Sequence, residues 1–373
     1  MSETEPIRFK ELTSEGLHQA LAHLGVDARL ARRLQAAVMQ KVGHVPEQMP
    51  EVSRRRLDEV RAATSIPCLE RVEKVVSPKD GFAKYLFRGE GDGVFEAVRI
   101  PLMHRPGDEK YIVCVSSQVG CAMGCVFCAT GRMGFERNLA TWEIVDQVMH
   151  IRDDSDHPVR GVVFMGMGEP MLNYDRVMRA CEVMSDPCGL AIDARAITIS
   201  TVGIVPAIRR FTVEKRPQRL IVSLTAAESD KRKRLFPVEE IHPLPELLDA
   251  IREYHASSGQ RITLAWTALS GVNTSEEDAR QIAALTAGLP IRIDLIDVND
   301  VTGEFAPPTS REMQSFRDAL TEHVRMPIAR RYSGGADVHG ACGMLAGRAG
   351  CGSCSGAAEP ANATIADAVG ATS

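Results

Sequence analysis

Residues 120–128 read Gly-Cys-Ala-Met-Gly-Cys-Val-Phe-Cys, so Cys121, Cys125 and Cys128 lie within eight positions on one glycine-containing loop. Three thiolates at this spacing can converge on a single metal centre. Structural zinc commonly takes four ligands as two separated pairs, and no second pair in a suitable context follows. The loop therefore favours a [4Fe–4S] cluster with one iron free of protein ligands, with a zinc knuckle or coincidental core cysteines as the alternatives.

The sequence after residue 110 alternates between apolar, β-branched runs and amphipathic segments. The pattern predicts strands at about 111–117, 160–166, 195–201, 219–225, 261–269, 291–298 and 328–332. It predicts helices at 141–151, 173–184, 244–255 and 275–285, with Thr141 and Asn173 as N-caps. This alternation indicates an α/β fold with parallel strands. A partial or full (βα) barrel and a doubly wound sheet both fit, and either places its chemistry at the carboxyl ends of the strands.

Four segments are expected along the chain. Leucines at helical spacing predict a small all-helical accessory domain, whose basic stripes fit a solvated helix face or contact with RNA. Two short strands around the turn Gly-Glu-Gly-Asp-Gly predict a β-hairpin linker. The predicted boundaries are 1–70 for the helical domain, 71–105 for the linker, 106–348 for the catalytic core and 349–373 for a flexible tail.

Composition excludes several classes of protein. Of the 373 residues, 44% are hydrophobic and 25% are charged, which is typical of a globular chain rather than a disordered or fibrous one. No apolar run is long enough to span a bilayer, and the N-terminus has no apolar signal region, so we expect a cytoplasmic protein. Because the net charge is −5, a nucleic-acid partner would have to be bound by local patches and by shape.

Beyond the cysteine loop, several motifs resemble the RlmN/Cfr family of radical S-adenosylmethionine (SAM) RNA methyltransferases. They occur in the family's order between about residues 80 and 348. The motifs are Cys-Val-Ser-Ser-Gln-Val-Gly-Cys at 114–121, Gly-Phe-Glu-Arg-Asn-Leu at 134–139, Met-Gly-Met-Gly-Glu-Pro at 165–170, Ile-Ser-Thr-Val-Gly at 199–203 and Ala-Cys-Gly-Met-Leu-Ala-Gly at 341–347. The resemblance implies a partial (βα) barrel radical SAM core that binds the cluster through the three loop cysteines.

The resemblance also implies a SAM site next to the cluster. The positions that would contact SAM are Gly168, Glu169, Ser200, Ser223, Leu224, Thr225 and Asn299. The chain departs from the family at one of them. Residues 223–228 read Ser-Leu-Thr-Ala-Ala-Glu, where the family commonly has Ser-Leu-His-Ala-Pro-Asn. A histidine side chain is therefore absent here, and backbone contacts from Leu224 and Thr225 are expected instead.

Two further cysteines would carry the family's chemistry. One SAM methylates Cys342, and a second is cleaved at the cluster to give a 5′-deoxyadenosyl radical. That radical abstracts hydrogen from the methyl group, and the resulting methylene radical adds to an adenine carbon. Cys114 then attacks the Cys342 sulfur and forms a transient disulfide that releases the product. Glu96, which precedes Ile-Pro on the predicted hairpin, corresponds to the family's proton acceptor.

The predicted function is methylation of adenosine in RNA, at C2 in preference to C8, in 23S ribosomal RNA with transfer RNA as a further substrate. A flavodoxin-type electron donor and a monomeric state are expected. Other hypotheses remain: a radical SAM enzyme acting on a peptide or small molecule, and a noncatalytic iron–sulfur RNA-binding protein. The basic run at 231–234 fits a phosphate contact or a solvated helix face equally. Cys351 and Cys354 fit exposed thiols or a redox pair.

Overall fold

Short helices and one minimal strand pair form the N-terminal region. The computed structural model describes residues 6–103 and 106–347. The elements of this region are β1 (Ile7–Arg8), α1 (Ser14–Leu21), α2 (Ala28–Ala37), α3 (Arg54–Ala63) and β2 (Thr64–Ser65), with a π-helical turn at Val38–Val42. The two strands pair in parallel, so this region is helical with one addition that the leucine spacing does not predict.

The core continues through three antiparallel strands into regular strand–helix alternation. Its strands are β3 (Glu70–Val76), β4 (Ala83–Arg88), β5 (Val94–Leu102), β6 (Lys110–Cys114), β7 (Gln118–Gly120), β8 (Phe135–Asn138), β9 (Val159–Phe164), β10 (Ile197–Thr201), β11 (Arg219–Ser223), β12 (Ile262–Ala268), β13 (Ile291–Asp297) and β14 (Ile328–Arg331). Its helices are α4 (Ala129–Met133), α5 (Thr141–Asp153), α6 (Tyr174–Ser185), α7 (Val205–Val213), α8 (Ser229–Leu235), α9 (Leu244–Ser258), α10 (Glu276–Leu285) and α11 (Ser310–His323).

The main sheet settles the choice between a barrel and a doubly wound fold. Its strand order is β14-β13-β12-β11-β10-β9-β6-β5-β4-β3, and the strands from β6 to β14 pair in parallel. A doubly wound sheet reverses its order at a switch point, whereas this order follows the chain without reversal. The fold is therefore a partial (βα) barrel. The hairpin expected as a linker extends the same sheet, because β5 pairs antiparallel with β6.

Side chains close the gap between the two edges of this sheet. The segment after β14 crosses to the turn between β3 and β4. There the Tyr332 hydroxyl donates to Oδ2 of Asp80 (2.9 Å), and the Ser77 hydroxyl donates to Oδ2 of Asp337 (3.1 Å). The same Asp80 oxygen accepts the Gly335 N–H (2.9 Å). We call this set of contacts the barrel seam.

The predicted helix starts are half right. Helix α6 has Asn173 as its N-cap, although its side chain donates instead to the carbonyl oxygens of Ser117 and Leu139 (2.9 and 2.8 Å). The prediction for Thr141 is wrong, because Thr141 is the first residue of α5. The Glu143 carboxylate accepts the N–H of Ala140 (2.7 Å), so a side chain inside the first turn satisfies the helix end.

The N-terminal region packs onto α5 around one buried ion pair. Lys10 and Asp146 are each almost fully buried, and the ammonium contacts the carboxylate directly. Lys10 also donates to the carbonyl oxygen of Pro67 (2.8 Å), and the second Asp146 oxygen accepts the Leu69 N–H (2.7 Å). Every polar atom at this junction therefore has a partner, as burial requires. In the described part of the chain, no helix is both long and apolar enough to cross a membrane.

Candidate active site

A cavity of about 1010 Å³, open to solvent, lies at the carboxyl ends of the parallel strands. This is the edge at which βα folds place their ligands. Its lining includes residues from the ends of five successive strands: Phe164, Ser200, Thr201, Ser223, Thr267 and Asp297. The three loop cysteines line the same cavity, so the predicted cluster ligands face the predicted SAM contacts across it.

The cysteine loop is shaped by the small β7–β8 hairpin on one side and α4 on the other. Gly120 has φ +72°, and a Cβ atom there would lie 1.9 Å from the Gly134 carbonyl oxygen, so only glycine fits. The Cys121 N–H donates to that carbonyl (2.8 Å), and the Cys128 N–H donates to the carbonyl of Cys125 (3.1 Å). These bonds direct all three thiols into the cavity, and burial raises the pKa of each.

The donor set fits an iron–sulfur centre. The three thiols line one cavity and are soft sulfur ligands of the kind that iron–sulfur clusters use. Burial raises the pKa of Cys125 most, and the neighbouring Cys128 and Cys121 raise it further, so the three sulfurs interact electrostatically. Among the described residues, no group of three His, Cys, Asp or Glu side chains stands at metal-ligating spacing. The fit therefore rests on the ligand chemistry and on the cavity that the three thiols share.

The second wall of the cavity is the turn after β9. Gly168 has φ +98°, and a Cβ atom there would lie 2.5 Å from Cβ of Gln118. The following Glu169 is buried, and its two carboxylate oxygens accept the N–H groups of Met171 (3.0 Å) and Val202 (2.9 Å). Burial raises the pKa of Glu169 to about 7, against the opposing effect of these hydrogen bonds. The remaining lone pairs leave the carboxylate able to accept a further donor from the cavity.

The other predicted SAM contacts divide into two groups. Ser200, Ser223 and Asn299 line the cavity as expected. Leu224 and Thr225 are buried and are not among its lining residues. The Leu224 N–H donates to the carbonyl of Ala265 (2.9 Å), and the Thr225 carbonyl accepts from Nδ2 of Asn273 (2.8 Å). This N–H and this carbonyl are therefore engaged within the protein, and the predicted SAM contacts of Leu224 and Thr225 stay predictions.

The two candidate redox thiols meet at a smaller cavity on the other side of Cys342. Cys114 ends β6 and is buried, whereas Cys342 is exposed and lies on the loop after the barrel seam. Both line the smaller cavity, while Cys342 also lines the larger one. Burial, and then the neighbouring Cys342, raise the pKa of Cys114. Cys342 thus stands between the cluster cysteines and Cys114.

The Cys342 loop, residues 341–347, is held against the cysteine loop by hydrogen bonds. The Ala129 N–H donates to the Gly343 carbonyl (2.8 Å), and the Thr130 hydroxyl donates to the Leu345 carbonyl (2.6 Å). On the opposite side the Cys342 N–H donates to Oγ of Ser333 (3.2 Å). The same hydroxyl oxygen accepts from Nδ2 of Asn299 (3.0 Å), which also donates to the Cys342 carbonyl (3.2 Å). The backbone of Cys342 is therefore fixed from both sides.

Glu96 lies beneath this loop rather than in either cavity wall. Its side chain is 1% exposed, and Oε1 is 2.9 Å from Nζ of Lys84, which is 7% exposed. Oε2 accepts the N–H groups of Ala346 (2.8 Å) and Gly347 (3.2 Å). The carboxylate is therefore an anchor for the Cys342 loop in this structure, and its predicted role as proton acceptor stays a prediction.

Comparison with known proteins identifies the family. Residues 115–283 match the Radical SAM superfamily model. A "Probable RNA methyltransferase" of Myxococcus xanthus is 48% identical, with 91% of this chain and 94% of the relative covered. A "Dual-specificity RNA methyltransferase RlmN" of Pelobacter propionicus is 36% identical, with 92% and 97% covered. The chain belongs to the RlmN/Cfr family of radical SAM RNA methyltransferases. A radical SAM methyltransferase from Sphaerobacter thermophilus superposes with a TM-score of 0.84 at 33% identity, covering 92% of this chain and all (100%) of that structure.

As a radical SAM enzyme, this RlmN/Cfr member uses a [4Fe–4S] cluster and SAM. The residues that would hold the cluster are Cys121, Cys125 and Cys128, and its open iron and SAM would occupy the larger cavity. Cys351 and Cys354 lie outside the described residues, as does the predicted tail at 349–373.

The basic run at 231–234 is neither one solvated face nor one phosphate site. Arg232 is fully buried in this family member, where it contacts Glu239 (2.5 Å) and donates to the Val202 carbonyl (2.5 Å). Lys231 pairs with the buried Asp278 (2.5 Å). Only the other two side chains of the run are exposed. The sequence of the run does not indicate that Arg232 is buried, because the carboxylates that pair with Arg232 and Lys231 lie elsewhere in the chain.

Three residues that the sequence did not single out support the RlmN/Cfr site: Lys84, Gln118 and Ser333. Gln118 accepts the Glu169 N–H (2.8 Å) and donates to the side chain of Asn138 (2.8 Å), which links both cavity walls. A lysine inside an apolar strand, diagonal to a glutamate on the paired strand, was a usable signal for Lys84. Gln118 lies within the 114–121 motif, which assigns it no role, and no local pattern marks Ser333.

Proposed function

We propose that this protein methylates C2 of adenosine in 23S ribosomal RNA, and in transfer RNA as a second substrate, through an S-methyl group on Cys342. The observation that carries the proposal is the position of Cys342, which lines the cavity of the three loop cysteines and also the cavity of Cys114. A noncatalytic RNA-binding protein needs neither redox thiol.

The cluster and SAM supply a carbon radical when bound, which is what an electrophilic adenine carbon requires. The protein's own residues do the rest. Glu169, with two N–H donors already on its carboxylate, orients the amino group of the ligand. The pinned loop holds the Cys342 sulfur at the junction of the two cavities. The apolar burial around Cys114 keeps that thiol protonated until it is needed.

Release of the product is a thiol–disulfide step. The Cys114 thiol gives up its proton, and its sulfur attacks the Cys342 sulfur to form a disulfide. The bond from the Cys342 sulfur to the substrate methylene breaks, and the methylene carbon keeps the bonding electrons and takes up a proton to become the methyl group. The proton of the substrate carbon passes to a base, for which we propose Glu96 once the Cys342 loop has lifted from its carboxylate. An external dithiol then reduces the disulfide, and a flavodoxin-type protein supplies electrons, both in the cytoplasm.

The test is anaerobic incubation of the reconstituted holoenzyme with SAM, reductant and unmodified 23S ribosomal RNA or transfer RNA. Nucleoside mass spectrometry should show 2-methyladenosine. C342A and C114A should give none, while Cys181→Ala, which alters a buried thiol in α6, serves as the matched control and should retain activity. Robust SAM cleavage with no methylated nucleoside would overturn the proposal and favour a non-RNA substrate, and 8-methyladenosine would overturn its regiochemistry.

A further inference from the structure

Tyr332 presents a large aromatic ring to solvent beside the Cys342 site. Its side chain is 75% exposed, well beyond the other exposed large apolar or aromatic residues of the described chain except Val213 at 80%. It lines the smaller cavity together with Cys114 and Cys342. A single exposed ring needs no explanation by itself. Its place in the wall of the cavity that holds both thiols makes it a candidate contact for a ligand that approaches them.

The ring is held in place despite its exposure. The hydroxyl donates to Oδ2 of Asp80 (2.9 Å) across the barrel seam. The ring packs at 73° against Phe82, with centroids 6.2 Å apart. A side chain fixed at its tip and at one edge loses little conformational entropy when a second flat group stacks on it.

The position of the ring is coupled to that of Cys342. The next residue, Ser333, accepts the Cys342 N–H through its hydroxyl oxygen (3.2 Å). A hydrogen bond therefore links the backbone of Cys342 to the residue that follows the ring, and a molecule resting on the ring lies at the cavity that the sulfur also lines.

We propose that Tyr332 is a stacking platform for a nucleobase of the RNA substrate at the entrance to the Cys342 site. This rests on the proposed function. Stacking on Tyr is how proteins bind splayed, single-stranded bases, and it tolerates any base because each has a π face. A base unstacked from its RNA neighbours needs such a surface before it can reach a thiol.

A purely structural role for Tyr332 uses different atoms. The barrel seam uses the hydroxyl, whereas stacking uses the ring. Tyr332→Phe removes the hydroxyl and keeps the ring, whereas Tyr332→Leu removes both the hydroxyl and the ring. Tyr332→Trp removes the hydroxyl and restores a larger platform.

The test compares these three variants with the wild-type holoenzyme in RNA binding by fluorescence anisotropy, in KM for RNA, in SAM cleavage without RNA and in Tm. We expect Tyr332→Leu to weaken RNA binding and raise KM by roughly tenfold or more. Tyr332→Phe and Tyr332→Trp should stay within about twofold of the wild type, since the π face persists. SAM cleavage without RNA should not change in any of them.

If Tyr332→Phe and Tyr332→Leu lose the same RNA affinity, the platform is overturned and the role of Tyr332 is its hydrogen bond in the barrel seam. An unchanged RNA affinity in Tyr332→Leu would also overturn the platform. Binding and methylation are scored separately. A wild-type protein that binds RNA without methylating it ends the proposed function, while the ring comparison still decides the platform. A wild-type protein that does not bind RNA overturns both.

Discussion

The Glu96 carboxylate joins the buried ammonium of Lys84, 2.9 Å away, to the loop that carries Cys342. The two residues lie on adjacent strands, where Lys84 faces Val98 and Glu96 faces Leu86, so they are diagonal neighbours on one face. The other oxygen of the carboxylate accepts hydrogen bonds from two backbone N–H groups of the loop. The position of the loop thus depends on a charge pair in the hairpin.

Lys84→Met should destabilise the protein by about 3–5 kcal/mol, because Glu96 would remain buried without its cation. The Cys342 loop should loosen with it, so the fraction of Cys342 methylated on incubation with SAM should fall. Thermal unfolding and peptide mass spectrometry measure the two effects. The double variant K84M/E96L should recover most of the stability and none of the RNA methylation. A Lys84→Met protein with wild-type Tm would contradict the anchoring role.

Thr130→Val tests the contact between the two loops. The substitution removes the hydroxyl that donates to the Leu345 carbonyl. The free energy of unfolding should fall by about 1–3 kcal/mol, because a buried acceptor is left unpaired. Methyl transfer through Cys342 should slow by roughly tenfold. Because the Thr130 side chain also hydrogen-bonds Cys128, iron content is measured in each variant and the rates are compared per bound cluster. The matched control is Thr212→Val, which removes a buried threonine bond to the Ile208 carbonyl (2.9 Å) inside α7. Equal rates in the two variants would argue against a role for loop pinning.

Sequence patterns predicted the core strands well because buried parallel strands are continuous apolar runs. All seven predicted core strands are present, and each overlaps the observed strand, as 261–269 does with Ile262–Ala268. What the pattern could not supply was the strand order, which required the observed pairing. The wrong N-cap at Thr141 has a specific cause: the acceptor for the helix end came from Glu143, one turn inside the helix.

The site was predicted unevenly. The motifs correctly predicted that four cysteines line one cavity: Cys121, Cys125, Cys128 and Cys342. Residues within short motifs can be identified from their spacing alone. Leu224 and Thr225 were predicted as SAM contacts but lie beside the cavity rather than in its wall, where backbone groups of the two residues are bonded to Ala265 and Asn273, about 40 to 50 positions later in the chain. Glu96 was predicted to be the proton acceptor, and no sequence pattern indicated that it is buried. Its burial depends on Lys84 and on the Cys342 loop, which local sequence does not connect.

Gly168→Ala should abolish SAM binding. The added Cβ atom would lie 2.5 Å from Cβ of Gln118, at a φ of +98° that side chains rarely adopt, so the turn holding Glu169 must move. The matched control is Gly288→Ala, which has φ +78° and nothing within 4 Å of the added atom. This control should lower the free energy of unfolding by about 1–2 kcal/mol and leave SAM binding intact. Equilibrium dialysis with SAM on the reconstituted protein distinguishes them, and tight binding by the Gly168 variant would exclude this turn from the SAM site.

The last prediction concerns the ion pair between the N-terminal region and α5. Lys10→Met leaves Asp146 buried with only the Leu69 N–H and His150 (3.4 Å) beside it, which should cost about 3–5 kcal/mol. The connection at 64–69 should then become sensitive to protease, because the Pro67 carbonyl loses its donor and the carboxylate that accepts the Leu69 N–H loses its counter-ion. Arg55→Gln, which breaks the exposed pair with Glu59 (2.9 Å), should change stability by no more than about 1 kcal/mol. If both variants unfold at the same temperature and resist protease equally, the N-terminal region is held by its apolar contacts and not by Lys10.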